Sequence, residues 1–264
     1  RASDYGLVAG AAKGVGWGEG ADGGPWTRVR GEGWAKGSGV IANGAAFVRA
    51  LTSRRVKGTV PSPARLAERR GGPERSAAVY ESPRAFAEAV APLLRREAEL
   101  VAQAGADMIQ VDDPHLCLFV DPEVRAGYDD PDRAADFAVE MTNRVVEGIE
   151  GVRLAVHLCR RAGARERGEA AFAGGYGPIL PALNRLKVHH LTMEFTAPQA
   201  GDMEVFGALR EDFEIGLGCV GCQPGRVDST EEIVERVEAA LSHIDPARVT
   251  LNPDCGFAPG SAAE

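Results

Sequence analysis

Four residues of types that bind soft metal ions stand out along the chain: His157, Cys159, Glu194 and Cys255. His157 and Cys159 are two apart. In an extended chain alternate side chains point to the same side, so the imidazole and the sulfur could share one ion. Glu194 closes the run His190-Leu191-Thr192-Met193-Glu194, and Cys255 lies in the polar turn Asn252-Pro253-Asp254-Cys255-Gly256. Two sulfurs, one imidazole and one carboxylate suit Zn2+ in tetrahedral geometry, with bonds of about 2.0 to 2.3 Å. The competing reading of the His-x-Cys pair is a core histidine beside a buried thiol. Cys255 favours the metal, because its turn follows directly on an apolar strand.

The elements that must position these residues alternate in type. Runs with strand character are expected at residues 56–60, 108–111, 153–157, 190–195, 213–217 and 249–252. Between them lie segments with helical signals. Ser82-Pro83 opens a helix as N-cap and first helical residue, running to about Ala104, where Gly105 closes it. Helices are also expected from about Asp132 to Ile149, from Tyr176 to Leu186, and from Ser229-Thr230-Glu231-Glu232 to about Ser242. Strand–helix alternation implies a parallel sheet. At least six such strands in a chain of this length favour an α/β fold, a closed (β/α)8 TIM barrel. The doubly wound alternative lacks its Gly-rich turn. Residues 1–264 are read as a single catalytic barrel domain, with residues 1–45, rich in glycine, loop-rich. Asp112, His157, Glu194 and Cys255 each fall at or just beyond the C-terminal end of a strand, the face at which barrel enzymes build their active sites.

Composition narrows the classes. Hydrophobic residues make up 44% of the 264, enough for a buried core. A formal net charge of −8 argues against a nucleic-acid surface. No run approaches a membrane span and no signal peptide is evident, so a cytoplasmic protein is expected. The five cysteines form no regular framework and are read as thiols or ligands in a reducing compartment.

Four segments carry a family likeness. Ile109-Gln110-Val111-Asp112-Asp113-Pro114, Val156-His157-Leu158-Cys159, Thr192-Met193-Glu194 and Asn252-Pro253-Asp254-Cys255-Gly256 occur in that order. Gly216-Leu217-Gly218 followed by Ser229-Thr230-Glu231-Glu232-Ile233 adds a fifth. Over roughly residues 56 to 258 the chain resembles the catalytic, C-terminal barrel of the cobalamin-independent methionine synthase family and related zinc-dependent thiol alkyltransferases. The resemblance implies that His157, Cys159, Glu194 and Cys255 ligate zinc. It implies that Asp112 sits where the amino group of a thiol amino acid binds. Four protein ligands close the site, so an incoming thiol must displace one or expand the shell, and Glu194, whose oxygen is the hardest and least thiophilic donor, is expected to yield. Free thiols are mostly protonated at neutral pH, and coordination to zinc deprotonates them. The implied partners are a small-molecule thiol and an alkyl donor, with homocysteine methylation, and hence methionine biosynthesis, the leading case.

The likeness has gaps on the donor side. Family members that use folate carry a histidine after the Ile-Gly-x-Gly segment; an ungapped count puts Gln223 there, and glutamine is no general acid. The folate-stacking tryptophan expected after Pro61-Ser62-Pro63 is replaced by Ala64-Arg65-Leu66-Ala67. Epoxyalkane:coenzyme M transferase chemistry and corrinoid-dependent methyl transfer are the alternatives, with a porphyrinogen decarboxylase-like lyase or a non-catalytic zinc module behind them. Further candidate substrate contacts are Asp113, His115 and Gln223. Asp113 could equally bind a backbone amide. Arg160-Arg161 could receive an anion or form a solvated loop, and Tyr176 could line a pocket. Cys219-Val220-Gly221-Cys222 is read as loop thiols in preference to a redox or metal pair, Cys117 as core, and His189 and His190 as structural.

Overall fold

A computed structural model describes residues 15–19, 25–29, 39–70, 79–160, 173–197, 200–222 and 227–256. The chain divides into two compact units, Arg1–Val111 with Met141–Arg153, and Asp112–Glu140 with Leu154–Glu264.

In the first unit, β1 (Val15–Glu19) and β2 (Pro25–Val29) pair antiparallel. Helix α1 (Val40–Leu51) follows, then β3 (Lys57–Pro61), α2 (Pro63–Arg70), α3 (Pro83–Gln103) and β4 (Met108–Asp112). The segment expected to be loop-rich therefore contains two strands and a helix start among its described residues. Helix α3 forms as its sequence signals suggest. Ser82 accepts a hydrogen bond from the Ala85 amide (3.1 Å), Pro83 occupies the first turn, and Gly105 follows at φ 85°. Its buried residues Phe86, Val90, Leu94, Ala98 and Val101 recur at helical spacing. Glu97 on the same helix caps α1 from outside, accepting from the amides of Ile41 (2.8 Å) and Ala42 (3.1 Å). Gly39, at α1's N-terminus, has no side chain to do this. Gly58 in β3 is required by close approach, since a Cβ there would overlap Val101 Cγ1.

The second unit contains the strands that carry the candidate residues. β5 (Arg153–Leu158), β6 (His190–Glu194), β7 (Glu214–Val220) and β8 (Val249–Pro253) lie in chain order and pair parallel, Val156 opposite Leu191 and Leu191 opposite Ile215. Between β7 and β8 the register shifts between Gly218 and Val220. Alternate strand residues Ala155, Leu191, Met193, Ile215 and Leu217 are wholly buried. Helix α4 (Pro131–Val146), which begins in this unit, and helix α5 (Thr230–Leu241) connect strands. Ser229 and Glu232 form the reciprocal capping box that their spacing predicts. The expected helix over 176–186 is instead a 3-10 turn, Gly177–Ile179, and one helical turn, Leu180–Leu183. Pro181 removes an amide donor that a continuous helix would need, and both Pro178 and Pro181 disfavour helical backbone in the residue before them. The architecture is thus α/β, with sequential parallel strands joined by helical segments.

Candidate metal centre

Strand ends bring the soft donors together. His157 is the fifth residue of β5, and the chain stays extended through Leu158, so the Cys159 side chain follows that of His157. Cys255 comes two residues after β8 ends. One ligand atom each from His157, Cys159 and Cys255 lies within 4.8 Å of the others. The two sulfurs are 3.5 Å apart. Two sulfurs sharing a tetrahedral zinc at about 2.3 Å would sit about 3.8 Å apart. The donor set and its spacing therefore fit a soft divalent ion.

Electrostatics within the pair are asymmetric. The Cys159 thiol is pushed far above the ordinary thiol range, first by its hydrogen bond to Cys255 and then by burial, with His157 opposing. Cys255 is lowered, chiefly by that same hydrogen bond, against burial. The Cys159 thiol is thus the donor of the pair, its S–H directed at the Cys255 sulfur. A bound cation would take that proton's place.

Glu194, the last residue of β6, is fully buried. Its Oε2 accepts from the Arg160 amide at 2.8 Å, so its carboxylate lies against the residue following Cys159. It is not part of the three-residue cluster. The Tyr176 hydroxyl accepts from the Glu194 amide (2.9 Å) and donates to the Glu194 carbonyl (3.3 Å). Arg160 completes this frame. Its guanidinium donates to Tyr176 Oη (3.0 Å) and to the carbonyls of Glu194 (3.2 Å), Gly174 (2.9 Å) and Ala200 (3.1 Å), and stacks 4.1 Å from the Tyr176 ring centroid. Arg160 is not a solvated loop residue: it is wholly buried, its guanidinium bonded to three carbonyls and the Tyr176 hydroxyl. Arg161 lies outside the described residues.

Asp254 ties the Cys255 turn to the Glu194 strand. Its carboxylate accepts from the amides of Phe195 (2.9 Å) and Thr196 (3.1 Å) and contacts the Thr196 hydroxyl. Burial pushes its acid up to about 6, with Glu194 adding to the shift. Gly218 makes room, because a Cβ there would overlap Asp254 Oδ1.

The remaining candidates spread around this core. Asp112 ends β4, half-buried. The amide of Asp113 donates to the His157 carbonyl at 2.9 Å, which sets the Asp112-Asp113 turn beside β5. Asp113 itself is fully buried and accepts from the Leu116 amide at 3.2 Å, the backbone role weighed for it. His115 is half-buried, edge-on to Phe119 at 5.6 Å between ring centroids. Cys117 is buried, its thiol raised by desolvation. Gln223 lies outside the described residues. His189 and His190 are structural as expected. His189 Nδ1 accepts from the Leu154 amide (3.0 Å), and His190 Nε2 pairs with Thr250 Oγ1 (3.0 Å). Sequence reasoning passed over Arg160, Tyr176 and Asp254 as supports of Glu194 and Cys255. Only Asp254 carried a usable signal, its place inside the Asn-Pro-Asp-Cys-Gly motif.

The family model "Cobalamin-independent synthase, Catalytic domain" matches residues 45–263. Proteins named methionine synthase are similar over part of the chain: 28% identical over 178 residues in Thermococcus kodakarensis, and 26% over 170 residues in Saccharolobus islandicus. These alignments cover 67% and 64% of this chain, but 45% and 43% of the relatives. The chain thus spans less than half the length of the curated relatives it matches. A solved B12-independent methionine synthase from Shewanella sp. W3-18-1, in complex with selenomethionine, superposes with a TM-score of 0.75 at 21% identity, covering 95% of this chain and 70% of that one. A Listeria monocytogenes protein described as a vitamin-B12 independent methionine synthase matches at TM-score 0.59 and 23% identity, over 83% and 63% of the two chains. The fold is accordingly of the (β/α)8 barrel type expected from strand–helix alternation. With most of its length under the family match, the chain belongs to the cobalamin-independent synthase catalytic-domain family.

Proposed function

We propose that this chain is a zinc-dependent transferase that moves a methyl or other alkyl group to a substrate thiol, with homocysteine methylation the leading specific case. The supporting observation is the convergence of His157, Cys159 and Cys255 within 4.8 Å at the ends of β5 and β8. In this reading Glu194 is the fourth ligand. Its carboxylate would turn from the Arg160 amide, with its backbone still held by Tyr176 and Arg160. When bound, zinc supplies a Lewis acid that lets a substrate thiol lose its proton near neutral pH.

The chain's own residues do the rest. Asp112, on the turn beside His157, offers a carboxylate to the ammonium group of a thiol amino acid. His115 lies on the same connection and could contact the same molecule. The cluster presents the substrate sulfur to the alkyl carbon of the donor; a sulfur–carbon bond forms as the donor's bond to that carbon breaks. The two compact units are read as one catalytic domain, as the span of the family match across both supports.

The test incubates zinc-loaded protein with homocysteine or coenzyme M, each with a methylated folate, a methylated corrinoid or an epoxide, and looks for thioethers by mass spectrometry. S-methyl product from homocysteine that disappears on zinc removal and returns on readdition supports the reading. No thioether from any pair, or equal turnover by metal-free protein, overturns it. Among the described residues, no helix is long and apolar enough to cross a membrane.

A further inference from the structure

The Cys219-Val220-Gly221-Cys222 segment has no part in the chemistry above, yet its second cysteine touches the backbone of Cys255. Cys255 sits beyond the end of β8, where the parallel ladder no longer holds its backbone. The last ladder contact is one residue earlier, the Asp254 amide donating to the Val220 carbonyl at 2.9 Å. At Cys255 a side chain takes over. The Cys222 sulfur accepts from the Cys255 amide at 2.9 Å and donates to the Cys255 carbonyl at 3.3 Å. One buried thiol thus bonds to both backbone polar groups of Cys255, the residue that presents the sulfur. We infer that Cys222 is a positioning residue, whose thiol holds the Cys255 backbone by this reciprocal pair of hydrogen bonds and so fixes where the Cys255 sulfur stands.

Cys222 is itself anchored. The preceding amide, of Gly221, donates to Asp228 Oδ2 at 2.6 Å. Arg236 of α5 grips Asp228 through both carboxylate oxygens (2.8 and 3.3 Å) and also donates to the Cys219 carbonyl at 2.9 Å. The Asp228 side chain is 2% exposed and that of Arg236 16%, so this ion pair is shielded and keeps its geometry. The chain of support runs from helix α5 through Asp228 and the Gly221 amide to Cys222, and from there to Cys255. Cys219 lies outside it, its sulfur 3.8 Å from the Asn252 carbonyl. The two cysteines of the pair therefore divide, one positioning and one not.

The test compares full-length Cys222→Ala, which removes donor and acceptor, with Cys222→Ser, which retains both, and with Cys219→Ala as control. Two readouts are taken: zinc transfer to a chromophoric chelator, and backbone amide exchange at residues 253–256 in metal-free protein. The zinc readout rests on the metal reading proposed above; the exchange readout does not. In Cys222→Ala zinc affinity falls about 10- to 100-fold, the range for losing a group that orients a ligand, and exchange at Cys255 quickens. Cys222→Ser keeps most of both, and Cys219→Ala matches the parent. Should Cys222→Ala fail to fold, Cys222→Val replaces it in the contrast with Ser. Parent-like exchange in Cys222→Ala, or a serine variant as impaired as alanine, overturns the inference. A parent protein that holds no zinc defeats the metal reading alone, and the exchange contrast still decides the role of Cys222.

Discussion

The two ends of strands β5 to β8 use polar side chains in opposite ways. At the N-terminal ends polar side chains bond to neighbouring backbone and side chains. His189 takes the Leu154 amide, and His190 pairs with Thr250 and, at 3.4 Å, with Thr192. Arg248 donates to the Phe213 and Arg210 carbonyls, and Arg210 to those of Asn184 and Leu186. Gly216 lets the His190 ring lie against β7, where a Cβ would come within 2.6 Å of Cε1. At the C-terminal ends, His157, Cys159 and Cys255 turn toward one another, and the Cys159 thiol donates to the Cys255 sulfur. Around them Arg160, Tyr176, Asp254 and Cys222 bond to backbone and hold the donors in place. One end spends its polar groups on stability; the other spends a supporting layer so that three donors can face a common point. This is the division expected of the two faces of a barrel of this type.

The largest test of the contrast is at the donors themselves. Cys159→Ala should lower zinc affinity by more than about 100-fold, beyond what loss of a supporting group costs, while leaving the unfolding midpoint of the metal-free protein nearly unchanged. Competition against a chelator and a urea titration read the two quantities. An intact affinity would show that the donors do not act together.

A middle-sized effect is expected one residue on. Arg160→Met leaves the carbonyls of Gly174, Glu194 and Ala200 without the guanidinium and should cost about 3 kcal/mol of stability, read from urea unfolding. A loss below about 1 kcal/mol would mean that the buried arginine is not the keystone of the frame. The smallest effect belongs to the opposite end. Thr250→Val removes the partner of His190 Nε2 and should cost about 1 kcal/mol or less, with zinc affinity unmoved. If this variant changed metal binding, the two ends would not be separate in function.

Much of the fold could be read along the chain because its signals are local. Ser82-Pro83 starts α3, Ser229 and Glu232 cap α5, and the apolar runs before Asp112, His157, Glu194 and Cys255 are all strands. The helix expected over 176–186 is broken where Pro178 and Pro181 interrupt it. The strands and helix start within residues 15–45 were hidden by glycine-rich composition that carries little periodicity. For the site, the donors were legible because residue type and placement after a strand are sequence properties. Their supports were not. Arg160 reads as a loop cation beside Arg161, and nothing in the order of residues says that it is 0% exposed and holds three carbonyls.

By itself, then, the sequence determined which residues are chemically able to bind a soft ion and which strand each would follow, since hydrophobic period, caps and ligand chemistry are written residue by residue. Tertiary structure alone decided which of them meet. It put ligand atoms of His157, Cys159 and Cys255 within 4.8 Å of one another, left the Glu194 carboxylate on the Arg160 amide, and set Cys222 against the backbone of Cys255. The physical reason is that the deciding contacts join residues far apart in the chain, Cys222 to Cys255 across 33 positions and Cys159 to Cys255 across 96. Only strand pairing and close backbone approach, such as that allowed by Gly218, fix distances on that scale.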